Sequence, residues 1–324
     1  MIRRSFNAPS DKKKLKKTRI WIIILALTSF SFSLAFLIIA QVKKNPVTIY
    51  SPVVKKPKQL PSFSWPFSHP EESKQSPEDL ENIIMSVIGS EKDNWGIWIE
   101  ELGGDFVWRY QADSLFPAAS LIKLPVTARF YQEMENGRFS LDDEWRLKEK
   151  DKLNGNGSLQ YKSAGEVVSF EKLAFLSLNQ SDNTALYIIH QNLGDKIVQQ
   201  AGGQLGMNQT SFLDDQTSPA DIALFFRKLY QGKILSGQMK DKFLSTLQDT
   251  PFDDQMPAGV PEGIIVSHKV GVEDNSGSDA GIIFVPHNPL LFVFLSKNTS
   301  PQHAKEIIIK LTREAYWYLL VPSP

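Results

Sequence analysis

The sequence predicts an α/β (α+β) fold for residues 76–324, in which an antiparallel five-stranded sheet is flanked by terminal helices and an all-helical lobe is inserted between its strands. Segments with strand-like alternation of apolar and polar residues occur near both ends of this region. Segments with helical periodicity fill the middle. Because each element must bury its apolar face, this order favours one sheet with a separate helical lobe.

The region begins with a capped helix and a hairpin. Ser76 is a typical N-cap and precedes a run of apolar residues at helical spacing. Residues 95–100 and 106–110 alternate as strands on either side of a Leu-Gly-Gly-Asp turn at 102–105. The first two strands are therefore expected to pair as a hairpin.

The rest of the region contains predicted helices followed by strands. Helices are expected at 120–135, 170–178, 182–192, 195–205 and 219–231. Strands are expected at 263–272, 279–286 and 290–297. A last helix is expected at 301–319, because Ser300 and Pro301 mark a helix start.

Three segments precede this domain. Residues 1–19 hold eight Lys or Arg and one acid, whereas residues 20–41 begin with 21 positions without charge. A helix of that length spans about 30 Å, the thickness of the hydrocarbon core of a bilayer. We expect a cytoplasmic basic tail, a transmembrane anchor that leaves the domain extracytoplasmic, and a Pro-, Ser- and Lys-rich linker over 42–75. A cleaved signal peptide is the alternative to an anchor.

Charge and composition exclude several classes of protein. The 36 basic and 36 acidic residues cancel, so net charge gives no indication of nucleic-acid binding. The chain has no cysteine, which excludes disulfides, thiolate zinc sites and a cysteine nucleophile. The five histidines show no metal-ligand spacing, so neither a metal nor a cofactor is expected.

The first candidate site motif is Ser-x-x-Lys, formed by Ser120 and Lys123. Three residues is close to one helical turn, so both side chains are expected on one face of a helix that begins here. A serine hydroxyl becomes a nucleophile when a base takes its proton, and a lysine can do this when burial or another cation lowers its pKa. The alternative is a capped helix with a surface lysine.

Two further motifs follow along the chain. Ser-Asp-Asn at 181–183 separates two helical segments, and an ordinary N-cap is its alternative interpretation. His-Lys-Val-Gly at 268–271 lies on a predicted strand, where a lysine at a strand edge is the alternative. In order and spacing, the three motifs match the set S-x-x-K, S-D-N and K-T-G.

This set resembles that of class A β-lactamases and penicillin-binding proteins, and the resemblance covers roughly residues 80–320. Segments around the motifs also resemble the family, namely GNGSLQY at 155–161, QSDNTA at 180–185, TSPADIALFFRKLYQGK at 217–233 and MPAGVPEGIIVSHKVG at 256–271. The resemblance implies a β-lactamase/transpeptidase-like fold and a serine hydrolase that forms an acyl-enzyme.

The resemblance also implies the catalytic roles. Ser120 would attack the substrate carbonyl, and Lys123 would accept the serine proton. Ser181 would relay a proton to the leaving nitrogen, positioned by Lys269.

Substrate binding is implied in the same way. Asn183 would hydrogen bond to the substrate amide, and the backbone amides of Ser120 and Val272, the latter following Gly271, would form the oxyanion hole. Asp182 is expected to be structural.

Two features depart from the family pattern. Val270 replaces the expected Thr or Ser, so the hydroxyl that would bind a substrate carboxylate is absent. The loop that carries the deacylating glutamate of class A enzymes is mostly missing, since only 33 residues, positions 184 to 216, lie between Asn183 and Thr217. Asp214 and Asp215 lie in this interval and are expected to cap the helix at Ser218 instead.

The sequence therefore predicts an extracytoplasmic, membrane-anchored serine hydrolase that acts on β-lactams or peptidoglycan-like amides and esters with slow deacylation. D,D-carboxypeptidase-like activity is compatible with the same residues. The alternative is a degenerate penicillin-binding-like module that binds cell-wall or peptide ligands with little or no turnover.

Overall fold

The computed structural model describes residues 76–320, and a five-stranded antiparallel sheet forms its centre. The strands are β1 (Trp95–Glu101), β2 (Val107–Tyr110), β3 (Phe116–Pro117), β4 (Glu144–Arg146), β5 (Val167–Ser169), β6 (Gln216–Thr217), β7 (Ile265–Glu273), β8 (Ser276–Phe284) and β9 (Leu290–Ser296). The central sheet has the order β2-β1-β9-β8-β7, while β3 pairs with β6 and β4 with β5 as separate ribbons. The predicted five-stranded sheet is confirmed.

Both faces of this sheet are covered by helices. The eight α-helices of the described residues are α1 (Pro77–Ile88), α2 (Lys123–Glu135), α3 (Phe170–Asn179), α4 (Asn183–Leu193), α5 (Asp195–Gln204), α6 (Pro219–Tyr230), α7 (Gly237–Thr246) and α8 (Pro301–Leu320). Successive residues of a strand point to opposite faces, so Ile97 packs with the terminal helices whereas Trp98 packs with the helical lobe. This double coverage explains why β1, β8 and β9 are buried along nearly their whole length.

The terminal helices α1 and α8 cover one face of the sheet. Ser76 caps α1 as predicted, because its side-chain oxygen accepts a hydrogen bond from the Glu78 amide at 3.2 Å. The Tyr318 hydroxyl donates to the Ser76 carbonyl at 2.6 Å, which joins the start of α1 to the end of α8.

Helices α2 to α7 form the lobe on the other face, with α2 buried along most of its length. A partly buried ion pair attaches the lobe to the sheet. Arg227 of α6 donates to both carboxylate oxygens of Glu100 on β1, at 2.7 and 2.5 Å, and Trp98 donates to the same group at 2.8 Å. Such bidentate contacts fix the orientation of the two elements.

The observed elements differ from the predicted ones at a few boundaries. Strand β8 begins at Ser276, three residues earlier than predicted, because Glu273 pairs directly with Ser276 and a two-residue turn is enough to reverse the chain. Helix α7 and the two short ribbons were not individually predicted. Strands of two or three residues are too short to show a periodic pattern.

The basic tail, the predicted anchor and the linker lie outside the described residues. Within residues 76–320, no helix combines the length and apolar character needed to cross a bilayer. The anchor over 20–41 therefore stays a prediction.

Candidate active site

Ser120 lies in a short 3-10 turn, Ala119–Ile122, between β3 and α2. Ala119 has a φ of 45°, a left-handed conformation that costs a residue with a Cβ about 1 kcal/mol or more. The Ala118 amide donates to the Asp215 carbonyl at 2.9 Å, which holds the strained turn from behind. Strain of this kind is common where a fold must present a reactive side chain.

The expectation that a helix begins at Ser120 is wrong, because α2 begins at Lys123. Pro125 gives the physical reason. It has no amide hydrogen and cannot make the α-helical bond to the carbonyl of Leu121, so a tighter 3-10 turn precedes the helix. The two motif residues nevertheless meet as predicted, since Lys123 Nζ lies 3.2 Å from Ser120 Oγ.

Lys123 is buried among oxygen atoms. Its Nζ lies 2.8 Å from Asn183 Oδ1, 3.1 Å from Ser181 Oγ and 2.5 Å from the Ser181 carbonyl. Burial lowers the pKa of the Lys123 ammonium to about 8, and the Asp182 carboxylate opposes part of that shift. About a tenth of Lys123 is therefore a neutral amine at pH 7, able to accept the proton of Ser120.

Ser181 connects Lys123 to Lys269. Its Oγ lies 3.1 Å from Lys123 Nζ and 3.0 Å from Lys269 Nζ, and its backbone has a φ of 55°. Burial and the charge on Lys123 hold the pKa of Lys269 well below its ordinary value, while Asp279 opposes them. A continuous hydrogen-bond chain thus runs from Ser120 through Lys123 and Ser181 to Lys269.

Asn183 and Asp182 hold this part of the lobe together. The Asn183 amide nitrogen donates to the Asn154 carbonyl at 3.2 Å. Asp182 caps α4 by accepting from the Ala185 amide at 2.9 Å, and its second oxygen accepts from the Leu159 amide at 2.8 Å. These contacts agree with the structural role expected for Asp182.

Gly271 lies where β7 passes the turn that carries Ser120. A Cβ at this glycine would lie 3.1 Å from the Ala118 carbonyl oxygen and 3.2 Å from Leu121 Cγ. This close approach brings the end of β7, with Val272, alongside the turn Ala119–Ile122 (the nucleophile turn). That placement is what an oxyanion hole built from the Ser120 and Val272 amides requires.

Val270 is almost fully buried, and its carbonyl accepts a hydrogen bond from Lys269 Nζ at 3.2 Å. Because neighbouring residues on a strand alternate, its side chain projects from the face of β7 opposite to that of Lys269. Val270 therefore keeps the strand conformation and offers a backbone acceptor, but it has no side-chain hydroxyl.

A pair of carboxyl groups also lies against the nucleophile turn. Asp215 and Glu273 are hydrogen bonded to each other, and Asp215 accepts from the Ala119 amide. Burial and the Glu273 carboxyl raise the pKa of Asp215 to about 7, so Asp215 is about half protonated at neutral pH. Sequence reasoning did not predict that these two residues are in contact, because they are far apart in the chain and meet only where β7 passes the β3–β6 ribbon.

The expectation that Asp214 and Asp215 cap α6 is wrong. Ser218 itself is the N-cap, since its Oγ accepts from the Asp221 amide at 3.2 Å. The Asp214 carboxylate instead accepts from the Ser211 hydroxyl at 2.7 Å. The N-cap position precedes the first helical turn directly, and Asp215 lies too early in the chain to occupy it.

Comparisons with known proteins show which proteins share this fold. A β-lactamase of Streptomyces albus G is 24% identical over 259 residues, which cover 71% of this chain and 81% of the relative. The solved structure of PBP-A aligns with a TM-score of 0.69 at 26% identity, covering 74% of this chain and 96% of its own. A mutant of PBP-A has also been solved as an acyl-enzyme complex with penicillin G.

A second solved structure, a β-lactamase from Sphaerobacter thermophilus DSM 20745, aligns with a TM-score of 0.70 at 25% identity and covers 76% of this chain and 100% of its own. A family model described as the beta-lactamase enzyme family matches residues 78–319, which is most of the chain. The matched range contains every motif residue discussed above. The chain therefore belongs to the beta-lactamase enzyme family and is a serine hydrolase of the class A β-lactamase type.

Proposed function

We propose that this chain forms an acyl-enzyme at Ser120 with β-lactams or with peptidoglycan-like amides and esters. The observation that carries the proposal is the chain of Ser120 Oγ, Lys123 Nζ, Ser181 Oγ and Lys269 Nζ, with successive distances of 3.2, 3.1 and 3.0 Å. A nucleophile, its base and a proton relay in one buried line are what acyl transfer requires. The β-lactamase relatives and the penicillin G complex of the PBP-A mutant support this substrate class.

In the proposed acylation, neutral Lys123 takes the proton of Ser120 while Ser120 Oγ bonds to the carbonyl carbon. The amides of Ser120 and Val272 stabilise the oxyanion. When the tetrahedral intermediate collapses, its C–N bond breaks and Ser181 gives a proton to the leaving nitrogen. Lys123 then returns the serine proton to Ser181, and Lys269 keeps the Ser181 hydroxyl oriented. Asn183 binds the substrate amide in this scheme.

Deacylation is expected to be slow in the same scheme. The interval 184–216 contains no glutamate. Each of its three aspartates already has a partner, namely His190 for Asp195, Ser211 for Asp214 and Glu273 for Asp215. Hydrolysis of an acyl-serine needs a water that is deprotonated at the right moment, and loss of a dedicated base costs about 10²–10⁴ in rate.

A second candidate function is a binding module with little turnover. Val270 favours it, because the hydroxyl that would bind a substrate carboxylate is missing from the third motif. Such a module would keep the Ser120–Lys123 contact and differ in whether an adduct forms or is released.

We also propose that the domain acts outside the cell membrane. The eight basic residues of the first 19, followed by the charge-free span, support a cytoplasmic N-terminus and an extracytoplasmic domain on an uncleaved anchor.

Labelling with a fluorescent penicillin tests the enzymatic proposal. The wild-type chain is expected to form one covalent adduct, located at Ser120 by mass spectrometry, and Ser120→Ala is expected to lose it. Ser86→Ala, on the exposed side of α1, is the matched control and should label normally. Equal labelling of Ser120→Ala, or no labelling of the wild type, would contradict the proposal. An adduct that is never released would favour the binding module.

A further inference from the structure

A buried histidine–aspartate pair lies on β7 and β8, next to the proposed relay lysine. His268 and Asp279 are 1% and 0% exposed. His268 Nδ1 lies 2.8 and 3.0 Å from the two carboxylate oxygens of Asp279. Gly281 lies opposite His268 in the strand register, and a Cβ there would be 2.7 Å from His268 Cβ. The close approach of β7 and β8 at this point therefore requires a glycine opposite His268.

The second ring nitrogen also faces acceptors. His268 Nε2 lies 3.2 Å from Asp253 Oδ1 and 3.2 Å from Thr250 Oγ1. Thr250 already donates its hydroxyl hydrogen to Asp253 at 2.7 Å, so its oxygen can only accept from the ring. Both ring nitrogens must then donate, which only the imidazolium form can do. Burial alone would lower the pKa of His268, but Asp279 and Asp253 outweigh it and raise the pKa to about 9.

Lys269 is the next cation along β7. It lies opposite Ala280, the residue after Asp279, and its side chain projects from the face of β7 opposite to that of His268. The charge on Asp279 raises the pKa of Lys269, against the larger effects of burial and Lys123. A buried carboxylate needs a counter-charge, and besides His268 the charge of Asp279 also acts on Lys269, which is itself buried.

We propose that His268 is a positioning residue whose imidazolium serves as the counter-ion of Asp279, so that Lys269 stays free to hydrogen bond to Ser181. The inference rests on the proposed function, in which Ser181 is the proton relay. The titratable groups that face the ring are Asp279 on β8 and Asp253 in the segment after α7. The turn Met256–Gly259 brings no titratable side chain to it.

Removal of the imidazolium should therefore change the titration of Lys269 and Lys123. In His268→Asn, Asp279 keeps a hydrogen-bond donor but loses its counter-charge, so the pKa of Lys269 should rise by about one unit or more. Lys123 and Lys269 contact the same Ser181 oxygen and titrate as a coupled pair, so the acid limb of the acylation rate should move to higher pH. The double variant His268→Asn with Asp279→Asn lacks the carboxylate as well. Its Lys269 pKa and the acid limb of its acylation rate should return towards their wild-type values.

Lysine side-chain NMR titration of the unliganded full-length chain, carrying ¹³C-labelled lysine, measures this directly. Lys269→Arg assigns the resonance, and thermal unfolding establishes which variants are folded. His190→Asn is the matched control, because it removes another His–Asp contact of 2.8 Å, with Asp195 in the helical lobe, and should leave Lys269 unchanged. A purely structural role for His268 would lower the unfolding temperature without moving the Lys269 titration.

An unshifted Lys269 in folded His268→Asn, or an upward shift that persists in the double variant, would overturn the proposal. If His268→Asn does not fold, Asp279→Asn decides instead. There the imidazolium loses its carboxylate and should move the Lys269 titration downward, and any other result would overturn the proposal. Failure of the wild type to react with penicillin would defeat the proposed function alone, since the lysine titration needs no substrate.

Discussion

At the scale of single residues, the candidate site contains two lysines whose pKa is lowered by burial. Lys123 and Lys269 are 2% and 1% exposed, and both approach the hydroxyl of Ser181. Removing an ammonium from water disfavours its charged form, and a second cation nearby disfavours it further. Burial thus converts a residue that is ordinarily charged into a base that can act near neutral pH.

Acylation should depend on pH through Lys123. The amine accepts the Ser120 proton only in its neutral form, and its pKa is lowered to about 8. Below that value the ammonium form dominates, so the rate of penicillin acylation should rise about tenfold per pH unit up to about pH 8 and then level off. Stopped-flow labelling measures this profile.

Lys123→Ala should slow the same reaction by about 10²–10⁴ and flatten the profile. Lys196→Ala, an exposed lysine on α5, should change neither. A wild-type profile that is already flat in this range would mean that another group is the base.

The fate of the adduct is a second prediction at this scale. Because residues 184–216 contain no glutamate and Asp215 is hydrogen bonded to Glu273, a β-lactam should give a burst of leaving group stoichiometric with enzyme, followed by turnover slower by about 10²–10⁴. Rapid-quench measurement of a chromogenic cephalosporin reports both phases. Fast steady-state hydrolysis without a burst would contradict this, and Asp214→Asn, Asp215→Asn and Glu273→Gln would then show which carboxyl group supplies the base.

At the scale of elements, strand β7 organises half of the site. Alternation along the strand sends Lys269 towards Ser181 and His268 towards Asp279, while Gly271 lets the strand approach the nucleophile turn. A shift of this strand would therefore change the relay and the oxyanion hole together.

Gly271→Ala tests that close approach. The added Cβ would lie 3.1 Å from the Ala118 carbonyl oxygen, which is backbone and cannot rotate away, so strand and turn must separate by a few tenths of an ångström. Acylation should fall by about tenfold to a hundredfold, because small displacements of reacting groups are costly. The acylation rate and the unfolding temperature are measured together.

Gly203→Ala is the control for this change. A Cβ at Gly203 on α5 meets nothing within 4 Å, so acylation should be unaffected and stability should be equal or higher. Normal acylation by Gly271→Ala would show that the end of β7 does not form part of the oxyanion hole.

At the scale of the whole molecule, the active site lies between two structural units of the domain. The helical lobe supplies Ser120, Lys123 and Ser181, whereas the sheet supplies Lys269. The hydrogen-bond chain can form only when lobe and sheet are assembled, so we expect the proposed acylation to depend on the packing of the lobe on its face of the sheet.

Membrane topology is predicted at the same scale. Protease added to intact spheroplasts should degrade the domain over residues 76–324, because the basic cluster keeps the N-terminus in the cytoplasm. A variant that lacks residues 1–41 should be protected within the cytoplasm and absent from the membrane fraction. Full protection of the wild-type domain would contradict the predicted orientation. Release of a shortened chain from the membrane would indicate a cleaved signal peptide.

The sequence by itself determined the fold class, the order of the elements and the identity of the motif residues. Apolar periodicity follows from burial, and motif spacing follows from the geometry of a helical turn, so both are visible in a linear pattern. Ser120, Lys123, Ser181 and Lys269 could therefore be named before their contacts were known.

Only the tertiary structure decided how these groups are charged and held. The lowered pKa of Lys123, the Asp215–Glu273 contact and the His268–Asp279 pair all depend on which segments pack together and how much water they exclude. These pKa shifts and contacts arise between residues that are distant in the chain, so a local sequence pattern cannot predict them. The start of α2 was misjudged for a local reason, because Pro125 removes a single helical hydrogen bond that periodicity does not register.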